Sequence, residues 1–240
     1  MTRPKTWASS LAIVCCLLAA GACWAQESTV SGKVALEGDV TGPFSPATVV
    51  WLAPMGAAAD STPVVPMHAV LAQKNKTFEP HLLVVTRGST VEFPNHDPWF
   101  HNVFSLFDGK RFDLGLYEAG SSRTVHFDRE GISFIFCNIH PEMSAVVVVL
   151  DTPYFATTNK RGAFTIPAVV PGSYMLHVWN ENGLPAALAK LSREVQVRDS
   201  SRSVGQINIP MSRSVLLAHK NKYGQDYEPP SPNNPVYAQP

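Results

Sequence analysis

From Ser28 onward the chain is a succession of short apolar runs, several of them alternating, broken by Gly, Pro, Asn and Asp. Thr29–Ala35 alternates at period two, and Ala47–Leu52 is a β-branched and aromatic run. Both suit a pleated, half-buried surface and predict strands. Leu82–Val85 and Thr90–Phe93, separated by a turn at Arg87–Gly88, predict two more. Gly131–Phe136 and Ser144–Leu150 flank Cys137, and Ala163–Ile166, Ser173–Trp179 and Glu194–Val197 follow. Strands at this spacing, with turn residues between them, predict an all-β protein built from β-sandwiches. The one helix-permitting stretch, Ala186–Leu191, is too short to change the class. From Arg213 onward there is no core pattern, and Pro229, Pro230, Pro232, Pro235 and Pro240 punctuate the chain. Residues 213–240 therefore read as a Pro-rich tail, the last 20 or so of them flexible.

The opening residues have a different character. Arg3 and Lys5 precede the apolar run Leu11–Ala20, which gives way to small residues. A positive start, a short apolar stretch and a small-residue exit form the pattern of a secretory signal peptide over residues 1–25, and imply a periplasmic protein. The run is too short for a membrane span, which needs about 20 apolar residues. Cleavage after Ala25 and after Ala22 both fit; the second would leave Cys23 first, as in a bacterial lipoprotein. Ala20 stands where such proteins usually carry Leu, so lipid anchoring is the lesser alternative.

Removal of that segment changes the cysteine count. Of 4 cysteines, Cys15, Cys16 and Cys23 leave with it, and Cys137 remains alone. Exported proteins generally pair their cysteines, so a single thiol asks for a bridge to another chain, a reactive role, a metal or an inert buried position. Charge narrows the field less: 19 basic and 19 acidic residues balance, which argues against a nucleic-acid partner.

The neighbours of Cys137 point to a metal. Cys137, His140 and Met143 recur at intervals of three on a loop between two apolar runs, and offer a thiolate, an imidazole and a thioether to one ion. Thiolate and thioether favour copper, whereas zinc takes Cys and His but has little use for Met. A second imidazole must come from elsewhere; His101, which opens the apolar run His101–Phe104 after Val91–Asn95, is the best candidate. His81 and His96 are weaker ones, and His68, His126, His177 and His219 read as non-ligands. Trp99 and Phe100, just before His101, are read either as an apolar rim for a docking partner or as packing beneath the loop.

Phe78, Pro80, Leu83, Val85, Gly88, Val91, Phe93, Asn95 and His101–Val103 resemble the upstream half of plastocyanin-like cupredoxins. Phe136-Cys137-x-x-His140-Pro141-x-Met143 resembles their metal loop, its short spacing being most similar to that of amicyanin. The likeness covers about residues 64–150. It implies a cupredoxin Greek-key sandwich with one mononuclear type 1 copper, His101, Cys137 and His140 as equatorial ligands and Met143 as the weak axial one. It also implies that the Asn102 side chain ties the His101 strand to the Cys137 loop, and that Pro141 stiffens that loop.

A second unit follows. The Asn159–Gly162 turn and the Pro171–Gly172 entry into Ser173–Val178 resemble a small carboxypeptidase regulatory-like, transthyretin-like β-sandwich. The opening strands of such a domain are present, but before the copper segment. The expectation is a discontinuous domain, residues 28–54 with 153–212, interrupted by the cupredoxin. No nucleophile elbow, phosphate loop or zinc-protease motif occurs in the chain. The arrangement resembles proteins labelled methylamine-utilisation proteins. It implies a non-enzymatic electron carrier serving a redox partner protein, with an amine-oxidising chain as one possible source. The alternative is a copper-binding or interaction protein of the cell envelope without redox turnover.

Overall fold

The structure is a computed structural model, and it describes residues 28–38, 47–106, 109–198, 201–211 and 220–227. The expected signal segment 1–25, with Cys23, lies outside these residues, as does His219. Two strands come first, β1 (Ser28–Glu37) and β2 (Val49–Met55), followed by a single helical turn, α1 (Ala57–Ser61). Ten strands then run without interruption: β3 (His68–Val70), β4 (Ala72–Lys74), β5 (Thr77–Glu79), β6 (Leu82–Thr86), β7 (Ser89–Pro94), β8 (His101–Ser105), β9 (Phe112–Tyr117), β10 (Ser122–Phe127), β11 (Gly131–Phe136) and β12 (Ser144–Leu150). The last group is β13 (Phe155–Thr157), β14 (Ala163–Val169), β15 (Gly172–Trp179), α2 (Pro185–Lys190), β16 (Arg193–Val197) and β17 (Arg202–Pro210). The protein is all-β. Among the described residues no helix is long and apolar enough to cross a membrane.

Strands β3–β12 make one sandwich. A five-stranded sheet in the order β6-β12-β11-β8-β9 faces a three-stranded one, β10-β7-β3, and the β4–β5 hairpin closes one edge. Leu71, Phe78, Val91, Phe93, Val103, Phe127, Ile135 and Val147 fill the space between, together with Cys137 and Met143. The second sandwich joins the strands at the two ends of the chain: β1 lies between β14 and β17, and β2 between β13 and β15, with β16 beyond. Its separate core holds Val30, Leu52, Ile166, Tyr174, Leu176 and Ile207. Gly162 closes the turn before β14 at φ +77°, and a Cβ there would sit 2.1 Å from the Val34 carbonyl oxygen. Only glycine fits that approach.

Strand β12 explains how the two units meet. Ala145, Val147 and Val149 point into the first sandwich. Val146, Val148 and Leu150 point the other way, onto Val49, Trp51, Phe155 and Trp179 of the second. A strand buried on both faces reads as a continuous apolar run, and Ala145–Leu150 is one. The His81 ring adds a polar contact across the same junction, 2.7 Å from Glu181.

Candidate metal centre

Two elements bring the donor side chains together. His101 is the first residue of β8, a strand buried along its whole length. Cys137, His140 and Met143 come from the β11–β12 loop. The Met143 N–H donates to the His140 carbonyl (3.0 Å) and the Cys137 N–H to the Met143 carbonyl (3.3 Å). These bonds coil the loop so that residues three apart face inward. Pro141, exposed at the loop's crest, fixes its own φ. His101, Cys137 and Met143 are fully buried, and His140 is 8 % exposed.

The three nearest donors form a small triangle. The His101 and His140 Nδ1 atoms are 3.1 Å apart, and Cys137 Sγ lies 3.8 Å from the first and 3.6 Å from the second. A point about 2.0 Å from all three atoms lies at the centre of such a triangle. Protein metal–nitrogen bonds are about 2.0–2.1 Å and zinc–thiolate bonds about 2.3 Å, so one ion fits with little movement. Among the described residues this is the one cluster of His, Cys, Asp or Glu side chains able to hold a metal. Met143 belongs to the same apolar core as Cys137.

The protonation states suit ligation. Burial pushes the Cys137 thiol above its ordinary value, although the N–H groups of Asn102, Ile139 and His140 pull the other way. Burial, reinforced by His101, lowers His140 to about 4. Burial also lowers His101, against the pull of Asp97. Both imidazoles are therefore neutral at pH 7, and the thiol is the group that must lose a proton when a metal binds.

The sequence reading missed Asp97. Its buried carboxylate accepts a hydrogen bond from His101 Nε2 (2.8 Å), and others from the N–H groups of Asn75 (2.6 Å) and Lys76 (2.9 Å). Burial alone would raise this carboxyl, but the Lys76 N–H, His101 and the Asn75 N–H outweigh it and hold it below the usual range. With Nε2–H donated to Asp97, His101 keeps its Nδ1 lone pair aimed at Cys137 and His140. Asn75 and Lys76 both have positive φ, 54° and 56°, at the turn of the β4–β5 hairpin. Asp97 thus anchors that turn and the His101 ring together. An acidic residue four places before the candidate histidine was the available signal.

Asn102 departs from expectation. Its side chain does not reach the Cys137 loop: Nδ2 donates to Asp113 on β9 (2.7 Å), and the buried Oδ1 has no partner. The expected tie is absent because the side chain is drawn sideways within its own sheet, towards the carboxylate across the β8–β9 pair. Asn102 faces the sulfur with its backbone instead.

The weaker histidine candidates stand apart. His81 hydrogen-bonds the Ser144 carbonyl (3.0 Å) and Glu181, and the Glu181 carboxylate raises its value above the ordinary one although burial opposes this. His96 is exposed, as are His68 and His126, while His177 bonds Ser192 and stacks on Trp51. Trp99 is half-buried under the Lys76 ammonium, whereas Phe100 is 48 % exposed. The tail also differs from its reading. Residues 220–227 form a turn that touches the Cys137 loop, with the Tyr227 hydroxyl donating to the Cys137 carbonyl at 2.8 Å. Composition gave no hint of this contact, because it rests on single polar atoms meeting across 90 residues.

Comparison with known proteins gives partial likenesses. A family model described as polysaccharide lyase family 4, domain II, matches residues 145–203, from β12 to the start of β17. No curated protein matches. Several solved cupredoxin-type structures align with part of the chain. A copper-containing nitrite reductase from Thermus scotoductus SA-01 is 22 % identical over 40 % of this chain, with a TM-score of 0.34, and the alignment spans 27 % of that enzyme. A purple cupredoxin from Nitrosopumilus maritimus is 24 % identical over 34 % of this chain and 99 % of its own, with a TM-score of 0.31. Amicyanin from Paracoccus versutus is 20 % identical over 41 % of this chain and 91 % of its own, with a TM-score of 0.32.

Proposed function

We propose that the protein is a periplasmic one-electron carrier that holds a single type 1 copper through His101, Cys137 and His140, with Met143 as the weak axial donor. The observation that carries this reading is the convergence of two imidazole nitrogens and one thiol on a common point in a buried pocket. Two His and one Cys with a distant Met form the donor set of blue-copper sites. Bound copper would supply a one-electron couple. The chain's own residues do the rest. Asp97 holds the His101 ring in one tautomer and orientation. The β8 and β11 strands, buried in a close-packed core, keep the donors apart at fixed distances and keep water out. A donor set held this way needs little rearrangement when charge changes.

His140 is the donor side chain nearest the surface, 8 % exposed against 0 % for His101. It is the natural exit for an electron, and Phe100, exposed beside His101 in sequence, adds apolar surface for a partner. The partner is a redox protein, with an amine-oxidising chain among the candidates that the motif resemblance suggests. With four side chains filling the donor set, the protein carries electrons rather than turning over a substrate. Cyclic voltammetry of the copper-loaded protein tests this. The expected result is a reversible one-electron couple lost in Cys137→Ser. A sluggish, irreversible response would instead fit a copper-holding envelope protein without redox turnover.

A further inference from the structure

The tail segment 220–227 is a folded turn that meets the donor loop through one side-chain hydroxyl and one backbone N–H. The Asn221 carboxamide oxygen accepts from the N–H groups of Tyr223 and Gln225, both 3.0 Å away. The Asn221 N–H donates to the Gln225 carbonyl and the Gly224 N–H to the Asn221 carbonyl, each at 2.9 Å. This turn presents three groups to the centre. The Tyr227 hydroxyl donates to the carbonyl of Cys137 (2.8 Å), and the Lys222 N–H to Asn138 Oδ1 (2.9 Å). The Lys222 ammonium lies 2.8 Å from Asp113 Oδ2, while Asp113 Oδ1 accepts from Asn102 (2.7 Å) and from the Gly115 N–H (3.0 Å). Asp113 is ionised: burial raises it, but Lys222, Asn102 and the Gly115 N–H prevail and lower it.

These contacts close a circuit. It runs from His101 through its neighbour Asn102 to Asp113, across to Lys222, on to Asn138 and back to Cys137. The Asn102 side chain makes no bond to the loop, only its N–H faces the Cys137 sulfur, and the tail adds a second tie between the two ligand-bearing segments. A hydrogen bond to the carbonyl of a ligand residue fixes the peptide plane that carries its side chain. Outer contacts of this kind set ligand orientation and metal properties.

We infer that residues 220–227 act as a strap that locks the Cys137 loop against β8, with Tyr227 and Lys222 as positioning residues for the metal donors. This rests on the reading of His101, Cys137 and His140 as copper ligands. The strap lowers the frequency with which the loop opens, and it fixes the angle at which Cys137 Sγ meets the two imidazoles.

The test uses the full chain as wild type, Tyr227→Phe, Lys222→Met and the double variant, with two readouts. The first is the rate at which a thiol reagent modifies Cys137 in metal-free protein. The sulfur is fully buried, so the rate follows the opening equilibrium of the loop. Loss of one hydrogen bond should raise it about fivefold to tenfold, and the double variant more. The second readout is the visible and EPR spectrum after loading with Cu(II). The strap predicts faster modification together with an altered thiolate-to-copper band or copper hyperfine splitting. If wild type shows a type 1 spectrum and every variant matches it in both rate and spectrum, the strap is overturned and the copper reading stands. Faster modification with an unaltered spectrum overturns it too, since the tail would then be a cover without hold on ligand geometry. If wild type shows no type 1 spectrum while the variants still react faster, the copper reading falls and the strap's hold on the loop is upheld.

Discussion

Asp97→Asn separates the two jobs that one carboxylate performs. Oδ1 accepts from the Asn75 N–H at 2.6 Å, and Oδ2 from the Lys76 N–H at 2.9 Å and from His101 Nε2 at 2.8 Å. An asparagine has one oxygen for these three donors. If the oxygen faces Lys76 and His101, its NH2 group meets the Asn75 N–H and the hairpin turn loses its anchor. If it faces Asn75, the NH2 group meets His101 Nε2–H, and the ring escapes the clash by moving its proton to Nδ1, the atom aimed at the metal position. Either way at least one charge-assisted bond is lost, worth about 1.5–3 kcal/mol. Loss of an outer hydrogen-bond partner of a ligating histidine typically costs about 10–100-fold in metal affinity, or about 1.4–2.8 kcal/mol, and the two estimates agree. The assay is competition for Cu(I) against a chromophoric chelator at pH 7, with far-UV circular dichroism to show that both proteins are folded. The expected result is an affinity at least tenfold weaker in Asp97→Asn. An affinity within twofold of wild type together with an unchanged melting temperature would refute the claim that Asp97 anchors the hairpin turn and the His101 ring together.

Other consequences follow from the protonation states and the packing. Copper affinity should rise about tenfold per pH unit between about pH 7 and 8, because the thiol proton is the one displaced while both imidazoles are already neutral; a pH-independent affinity in chelator titrations would contradict this. Metal-free protein should lose stability as pH falls from 6.5 to about 4, since the unfolded His140 takes up a proton in that window and the folded one does not; denaturant titrations at pH 7 and pH 4.5 check it, and equal midpoints would count against the depressed value. Gly162→Ala forces a side chain to φ +77° with its Cβ 2.1 Å from the Val34 carbonyl oxygen. It should cost about 2 kcal/mol or more and lower the melting temperature by roughly 5 °C. A calorimetric scan unchanged from wild type would show that the turn can move aside.

What could be read in the chain and what could not divide along physical lines. Val146, Val148 and Leu150 interleave with Ala145, Val147 and Val149, and their uniform hydrophobicity marks a strand covered on both faces. The Cys137–Met143 spacing was legible because a loop's ligands are local in sequence. Strands β9 and β10 were missed because their alternation is short: Gly115 interrupts it after Phe112 and Leu114, and β10 opens on the polar run Ser122–Thr124 before Val125 and Phe127. β17 was missed for a related reason. Its pairing with β1 shifts register near Gly205, which breaks the alternation between Val204 and Ile207. Asp97 and Tyr227 escaped for a different reason. Each acts through one or two polar atoms placed by the tertiary fold, and neither hydrophobic periodicity nor motif spacing encodes where such atoms meet.

The central claim is that one ion sits among His101, Cys137 and His140 with the thiolate bound to it. The most direct measurement is the visible and EPR spectrum of residues 26–240 loaded with Cu(II), alongside Cys137→Ser. The expected result is an intense thiolate-to-copper band and a narrow copper hyperfine splitting in the first protein, both absent from the second. A pale solution with ordinary hyperfine splitting, unchanged by the substitution, would contradict it.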